Sequence, residues 1–277
     1  MKSADFDEEY LISRAKRNVQ KDEIDGKSRI QSKSWLITAR VMFPGNFNIQ
    51  YEAYSMMKDD ENVSEAAKAF QDLFKEFIHK DGAEKLWAEV DAMIEILATP
   101  GREGTFLHQI FEKLNSATQR EILLSSSSRA KDPLLRTKRI LIAFQKFPDL
   151  IPKHGVSNCL AYILELCKSR VRQHHGVDDL LELLLMEVSP LLIPVTSLDI
   201  DVNTLHDILL LTYEYIFAVV LYDPGKINDL PWTNLIGLFG EIGKRLGWSL
   251  AEILTQNQHK DQNFYHHLVN FLQNKQR

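Results

Sequence analysis

The sequence predicts an all-α protein in which antiparallel helix hairpins stack into an α-solenoid. Apolar residues recur with the three-and-four spacing of a helix face along nearly the whole chain, whereas the two-residue alternation of a half-buried strand is almost absent. Proline, glycine and serine turn signals divide the chain into helices of ordinary length. Because the connections are short, we expect each hairpin to cover the apolar face of its predecessor.

The first hairpin is the most sharply defined element. Four side chains share one face of its first helix: Trp35, Leu36, Ala39 and Phe43. The helix cannot continue through Pro44-Gly45, and the helical pattern restarts near Ile49. Leu36, Ala39 and Pro44 also keep the spacing that closes a tetratricopeptide-type repeat.

A second repeat unit follows the first at a fixed distance. Phe70 lies 34 residues after Leu36, and Leu73 lies 34 residues after Ala39. The period fails at Gly104, which indicates a degenerate, tetratricopeptide/HEAT-like array rather than a regular repeat. We therefore predict a single elongated α-helical repeat domain over residues 1–277, with 125–131 as a candidate sub-boundary.

Local signals set the helices in the middle of the chain. Thr118, followed three residues later by Glu121, is typical of a capping box, and Asp132-Pro133 is typical of a cap before a first-turn proline. The serine run 125–128 fits either an interdomain linker or a polar loop between stacked hairpins, and its shortness favours the loop.

Two later helices are apolar around much of their circumference, which predicts that they lie inside the array. They span Asp178 to Pro194 and Asn203 to Tyr222. Trp35, Trp87, Trp232 and Trp248 have apolar neighbours, so we interpret them as core residues rather than interface anchors. Truncating Trp35 to alanine is then expected to cost about 3 to 5 kcal/mol.

Composition limits the class of protein. The 277 residues are 44% hydrophobic and 26% charged, with a formal net charge of −5, which argues against a surface that tracks nucleic acid throughout. The longest apolar segment, Ile208 to Tyr222, contains Glu214 and is shorter than the ~20 residues of a membrane span. The acidic start of the chain predicts no export signal, and no membrane partner is expected.

Signatures of catalysis and of bound metals fail one by one. Gly243-Lys244 suggests a phosphate loop, but Leu238 and Arg245 occupy positions that require glycine and a hydroxyl residue. The histidine pairs 174–175 and 266–267 are adjacent rather than four apart, so they do not grip zinc from one helix face. We predict no enzyme activity, no cofactor and no metal.

Two clusters of basic residues are the candidate nucleic-acid contacts. The first contains Lys131, Arg136 and Arg139, and the second contains Lys168, Arg170 and Arg172. Such residues at helix ends can neutralise phosphates. Plain solvation is the alternative, and positive charge is also favourable at a helix carboxyl end. Exposed aromatic residues for base stacking do not interleave with either cluster in the sequence.

The hairpin segment resembles the amino-terminal segment of the Integrator subunit ten family. The similarity covers Trp35 to Arg40, Phe43-Pro44 and Phe47 to Glu52, and weaker similarity continues at Phe147-Pro148 and Pro231-Trp232. The residues that carry it are Trp35, Leu36, Ala39, Arg40, Phe43, Pro44, Phe47, Gln50 and Tyr51. The chain departs from the family in a longer, more charged loop at Lys21 to Lys33 and in its short length, which indicates an amino-terminal portion or a divergent short relative.

The resemblance implies a function that composition does not. It implies a non-catalytic scaffold subunit of the nuclear Integrator complex, which supports processing of small nuclear RNA 3′ ends and attenuation of transcription by RNA polymerase II. The implied partners are Integrator subunits thirteen, fourteen and fifteen. The alternative is a helical-repeat protein that binds RNA or DNA directly.

Overall fold

The computed structural model describes residues 10, 13, 26–59, 62–80, 82–171, 179–222 and 231–247, with backbone alone for 26–33, 171 and 220–222. Within these ranges every regular element is helical, so the predicted all-α class is confirmed. Arg172 and Trp248 lie outside the described residues. The solenoid arrangement stays a prediction.

The helices are numbered here in chain order. Their bounds are α1 Gly26–Met42, α2 Phe47–Asp59, α3 Val63–Phe77, α4 Glu84–Ala98, α5 Phe106–Lys113, α6 Ser116–Arg129, α7 Pro133–Lys146, α8 Ile151–His154, α9 Ala161–Val171, α10 Asp179–Leu183, α11 Ser189–Leu192, α12 Val202–Tyr222 and α13 Trp232–Arg245. A short 3₁₀ turn covers Pro148–Leu150, and π-helical segments cover Gly155–Leu160 and Leu184–Val188. The chain divides into two compact units, residues 1–128 and 129–277.

In the first unit, α2 packs against both α1 and α3, and α5 packs against α3 and α4. The α3 helix begins where the Asn62 side chain accepts a hydrogen bond from the Glu65 N–H at 3.2 Å. Its buried apolar face follows spacings of three and four residues and consists of Ala66, Phe70, Leu73, Phe74 and Phe77. The four positions of the 34-residue period, at 36, 39, 70 and 73, are all buried.

In the second unit, the predicted helix at 178–194 is confirmed as a continuous helical run from Asp179 to Leu192. Its π segment packs against the π segment Gly155–Leu160. A side chain at Gly155 would place its Cβ 3.0 Å from Leu192 Cδ2, so a larger residue would require the Leu192 side chain to shift by a few tenths of an ångström. The predicted helix at 203–222 is confirmed as α12.

The arginine that ends α13 ties this helix to the turn after α11. Arg245 donates from Nε to the Ile193 carbonyl at 2.7 Å and from Nη1 to the Leu198 carbonyl at 2.9 Å, and Nη2 donates to the Val195 carbonyl. These carbonyls follow the end of a helix. The Val195 carbonyl also accepts from the Leu198 N–H at 3.0 Å, so Arg245 adds a second donor there and supplies a donor to the carbonyls of Ile193 and Leu198.

Three predictions about local structure are wrong. Residues 125–128 are neither loop nor linker but the last turns of α6, because Ser126 donates to the Leu123 carbonyl at 3.1 Å and the small buried serines allow close packing. The α6 helix begins at Ser116 rather than after Thr118, because Asn115 accepts from the Thr118 N–H at 2.8 Å.

The third wrong prediction is the loop at Lys21 to Lys33. The α1 helix already begins at Gly26. The residues that follow Gly26 are mostly arginine, glutamine, lysine and serine, without proline, so their polarity is compatible with an exposed helix as well as with a loop.

Candidate docking and binding surfaces

The α1–α2 hairpin is closed by a four-residue turn with a buried apolar base. Ala39 and Ile49 are fully buried against each other, and Phe43 packs on them. Asn46 caps α2, since its side-chain oxygen accepts from the Ile49 N–H at 3.1 Å. Pro44 lies in the turn, where no helical hydrogen bond is needed, so the predicted hairpin is confirmed.

Gln50 locks the two helices of this hairpin together. Arg40 Nε donates to Gln50 Oε1 at 3.0 Å, while Gln50 Nε2 donates to the carbonyls of Arg40 and Phe43 at 3.3 and 3.4 Å. One amide side chain thus satisfies carbonyls at the open end of α1 and fixes the guanidinium of Arg40. The motif residues Arg40, Phe43 and Gln50 have a common structural role in this turn.

Aromatic rings connect α2 to α3. Phe47 and Phe77 meet edge to face with ring centroids 5.5 Å apart, and Tyr54 lies 5.5 Å from Phe70. Tyr51 extends the row, with its ring centroid 5.7 Å from that of Phe47. Such pairs contribute about 0.5 to 1.5 kcal/mol beyond their buried area. The motif aromatic Phe47 therefore holds the hairpin on the next helix, and Tyr51 packs against Phe47 within α2.

A polar contact joins α2 to α4. Lys58 Nζ lies 2.6 Å from Glu89 Oε1, and the hydroxyl of the buried Tyr54 donates to Glu89 Oε2 at 3.2 Å. Burial raises the pKa of Tyr54 above its usual range, and the Glu89 charge raises it further. The same two causes raise the pKa of Tyr51. The hairpin is consequently fixed at its turn and on its far side.

Beside the locked turn lies a groove of about 700 Å³, here called the hairpin groove. Its wall on α1 contains Ile37, Arg40 and Val41, and its wall on α3 contains Leu73, Lys75 and Phe77. Pro44 and Gln50 close one end. The fold thus brings motif residues from the turn together with Lys75 and Phe77 of α3, which sequence reasoning did not single out.

The α1 helix exposes several large apolar side chains, of which Ile37 and Val41 line this groove. The exposed fractions are 77% for Val41, 60% for Met42, 49% for Ile37 and 37% for Trp35. The core assignment of Trp35 is therefore wrong, because Leu36 and Ala39 already fill the contact with α2 and leave Trp35 at the edge. Trp87 is buried as predicted, and Trp232 is half-buried. The missed signal was an apolar surplus on α1 beyond one buried face.

Comparison with known proteins decides the family. A family model described as Integrator subunit 10 matches residues 2–227, which is most of the chain and includes the whole hairpin. The chain belongs to the Integrator subunit 10 family. Within that family it is 29% identical over 284 residues to Integrator complex subunit 10 of Homo sapiens, and 25% identical over 268 residues to that of Drosophila melanogaster.

The alignments cover nearly all of this chain but less than half of each relative. They include 90% and 96% of this chain but 38% and 39% of the human and fly proteins. The chain therefore spans about two fifths of the length of these Integrator subunit 10 relatives. The residues that carried the resemblance, from Trp35 to Glu52, form the α1–α2 hairpin.

The basic candidates of the second unit are placed differently from one another. The Arg136 guanidinium lies 4.1 Å from the ring centroid of Tyr162, a stacking contact that was not visible in the sequence. Lys168 pairs with Asp207 at 2.6 Å, so its charge is partly neutralised. Lys131 and Arg170 are exposed, and Arg139 is half-buried.

The part of the chain that the structure describes contains no metal-binding cluster, no exposed thiol and no membrane-spanning helix. It holds no cluster of three or more histidine, cysteine or acidic side chains placed to bind a metal ion. Cys159 and Cys167 are buried free thiols, and burial raises the pKa of Cys159 to about 12. None of the described helices is long and apolar enough to cross a bilayer.

Proposed function

We propose that this chain is a non-catalytic scaffold subunit of the nuclear Integrator complex and that it docks other subunits through the hairpin groove. In this role it supports processing of small nuclear RNA 3′ ends and attenuation of transcription by RNA polymerase II. The observation that carries the proposal is the exposed apolar pair Ile37 and Val41, which lines the groove beside a hairpin turn held by Gln50.

The physical argument concerns both the surface and its rigidity. Ile37 and Val41 lie one turn apart on α1, both line the groove, and both are more than two fifths exposed. Exposed apolar surface of this kind is typical of interaction sites. Because Gln50 and the aromatic row already fix the hairpin, a partner orders little of this surface on binding, which reduces the entropic cost of association.

The proposed partners are Integrator subunits thirteen, fourteen and fifteen. The relatives matched by this chain are named as subunits of the Integrator complex, which supports partners from that complex and a nuclear location. A docking subunit needs no reacting groups of its own. The cleaving chemistry is accordingly assigned to other subunits.

Co-purification of the chain with each of these subunits, one at a time, tests the proposal. We expect at least one subunit to be retained by the wild-type chain and lost with Val41→Glu, because a charge in the groove must be desolvated on docking. Val202→Glu is the matched control, since Val202 is a 56% exposed valine of the second unit. Failure of all three subunits to bind the wild-type chain would refute the scaffold role.

Direct binding of RNA or DNA is the second candidate function. One observation favours it: the stacked pair of Arg136 and Tyr162 supplies an aromatic ring within the first basic cluster. Single-stranded nucleic acids bind surfaces that combine positive charge with rings on which bases stack. Lys131 and Lys138 are exposed on either side of Arg136 along the chain.

Fluorescence anisotropy with a labelled single-stranded RNA tests this second function. Lys131→Glu and Lys138→Glu should each weaken binding and flatten its salt dependence, because each removes a phosphate contact. Tyr162→Leu should weaken binding with little change in the salt dependence. Lys168 is a poor site for charge reversal because it pairs with Asp207. Unchanged affinity in the two lysine variants would exclude this surface as a nucleic-acid site.

A further inference from the structure

The position of the hairpin groove between two helices is suited to binding a further α-helix. It lies between α1 and α3, which both pack against α2. Amphipathic helices commonly bind in grooves whose walls are formed by helices. A backbone strand would find no sheet edge here, because every regular element among the described residues is helical.

The α1 wall of the groove supplies exposed apolar contacts. Ile37 and Val41 lie one turn apart on α1 and are 49% and 77% exposed. Leu73 and Phe77 of the α3 wall are buried, so this wall presents mainly charged side chains. A helix with apolar side chains at intervals of three and four residues would contact Ile37 and Val41, since this spacing places its side chains on one face.

The charged side chains that line the groove indicate which charge a partner must carry. Arg40 lies on the α1 wall with its Nε held by Gln50, and neither of its Nη atoms has a partner among the described residues. Lys75 on the α3 wall likewise forms no hydrogen bond or ion pair within the described ranges. Each wall therefore presents a cation that is available to a carboxylate.

The acidic residues do not cancel these cations. Glu76 is already paired with Lys80, which leaves Asp72 as the unpaired acid among the lining residues. A guanidinium that its own protein holds in place loses little freedom when it binds a carboxylate with its two free nitrogens. The groove thus has an exposed apolar strip on its α1 wall, and its lining carries two available cations against one unpaired acid.

We propose that the occupant of the hairpin groove is an amphipathic α-helix of a partner protein that carries acidic side chains beside its apolar stripe. The proposal rests on the docking role proposed above and names the chemistry of its partner. The apolar stripe contacts Ile37 and Val41, while acidic side chains pair with Arg40 and Lys75. The exposed apolar pair and Asp72 disfavour a nucleic acid in the same groove, because a polyanion would gain no apolar contact there.

Selection from a random peptide library displayed on phage tests this inference. The wild-type chain is immobilised, and peptides that also bind the Val41→Glu variant are removed. We expect enriched sequences with apolar residues at helical spacing and with aspartate or glutamate on the flanks. A synthetic enriched peptide should become helical by circular dichroism on binding, and Val41→Glu should weaken its binding at least tenfold.

Charge exchange gives the sharper result. Lys75→Glu should weaken binding of the acidic peptide several-fold, and replacing the peptide's paired glutamate by lysine should restore it. Lys68→Glu is the matched control, because Lys68 is exposed on the same helix outside the groove. Equal effects of the two lysine variants, or enrichment of basic, extended or no peptides, would overturn the inference. Retention of whole subunits by the wild-type chain would then still stand, so the two failures are distinguishable.

Discussion

The hairpin of the first unit and the helical run Asp179–Leu192 of the second unit treat apolar residues in opposite ways. In the second unit Leu180, Leu184 and Leu185 are buried to within about one percent of complete burial. In the first unit Val41 and Met42 are 77% and 60% exposed, while polar contacts of Gln50 hold the turn. The comparison teaches that the hairpin does not use its outer apolar residues for folding, which leaves them available to a partner.

The largest expected loss of stability comes from truncating a buried leucine of the second unit. Leu184→Ala should lower the free energy of unfolding by about 2 to 5 kcal/mol, because the fully buried side chain leaves a cavity. Leu210→Ala on α12 is the matched control, and as Leu210 is 44% exposed its effect should be much smaller. Urea denaturation followed by circular dichroism measures both. Equal losses would show that burial does not distinguish these leucines.

The next effect concerns the arginine tie of the second unit. Arg245→Met should cost about 2 to 3 kcal/mol of unfolding free energy, since the carbonyls of Ile193, Val195 and Leu198 lose a charged donor. Lys244→Met, at the neighbouring exposed position that pairs with Glu241, should cost less than about 1 kcal/mol. The same denaturation experiment compares them, and a reversed order would contradict the role of Arg245.

A smaller effect tests the polar lock of the hairpin. Gln50→Ala should reduce the unfolding free energy by about 1 to 2 kcal/mol, because its hydrogen bonds to Arg40 and Phe43 are lost. Asn48→Ala is the control, as Asn48 is exposed on the same turn of α2. If both variants unfold at the same urea concentration as the wild type, the lock contributes nothing.

The loss of folding stability at alkaline pH tests the contribution of the buried Tyr54. Its raised pKa means that the folded state keeps the phenol proton after the unfolded chain has lost it near pH ~10. This contribution to stability is complete below pH ~10 and is lost as the pH rises further. Tyr54→Phe should therefore lose less stability than the wild type between pH 9 and pH 11. An identical loss in both proteins would show that Tyr54 does not carry the effect.

Much of the hairpin could be predicted from the sequence, because its signals are local. Pro44 forbids continuation of α1, and the three-and-four spacing identifies Leu36, Ala39 and Ile49 as buried. Trp35 shows the limit of this reasoning. Its spacing fits the same face, yet whether an edge residue is covered depends on the neighbouring helix rather than on the pattern.

Contacts between distant residues account for what the sequence did not reveal. Lys75 joins Arg40 beside one groove only because α1 and α3 both pack on α2. Tyr162 meets Arg136 from 26 positions away, so the aromatic neighbour of the basic cluster was invisible in the chain order. The serines at 125–128 mislead for a related reason, since the hydroxyls of Ser126 and Ser128 donate to carbonyls of α6 itself.

The most direct test of the docking role is photo-crosslinking from the groove itself. The photoreactive residue benzoylphenylalanine replaces Val41 in one variant and Val202 in another, and each is irradiated with Integrator subunits thirteen, fourteen and fifteen. If the groove is the docking site, one subunit is crosslinked from position 41 and none from position 202. Equal crosslinking from both positions, or none from position 41 while a subunit is bound, would contradict it.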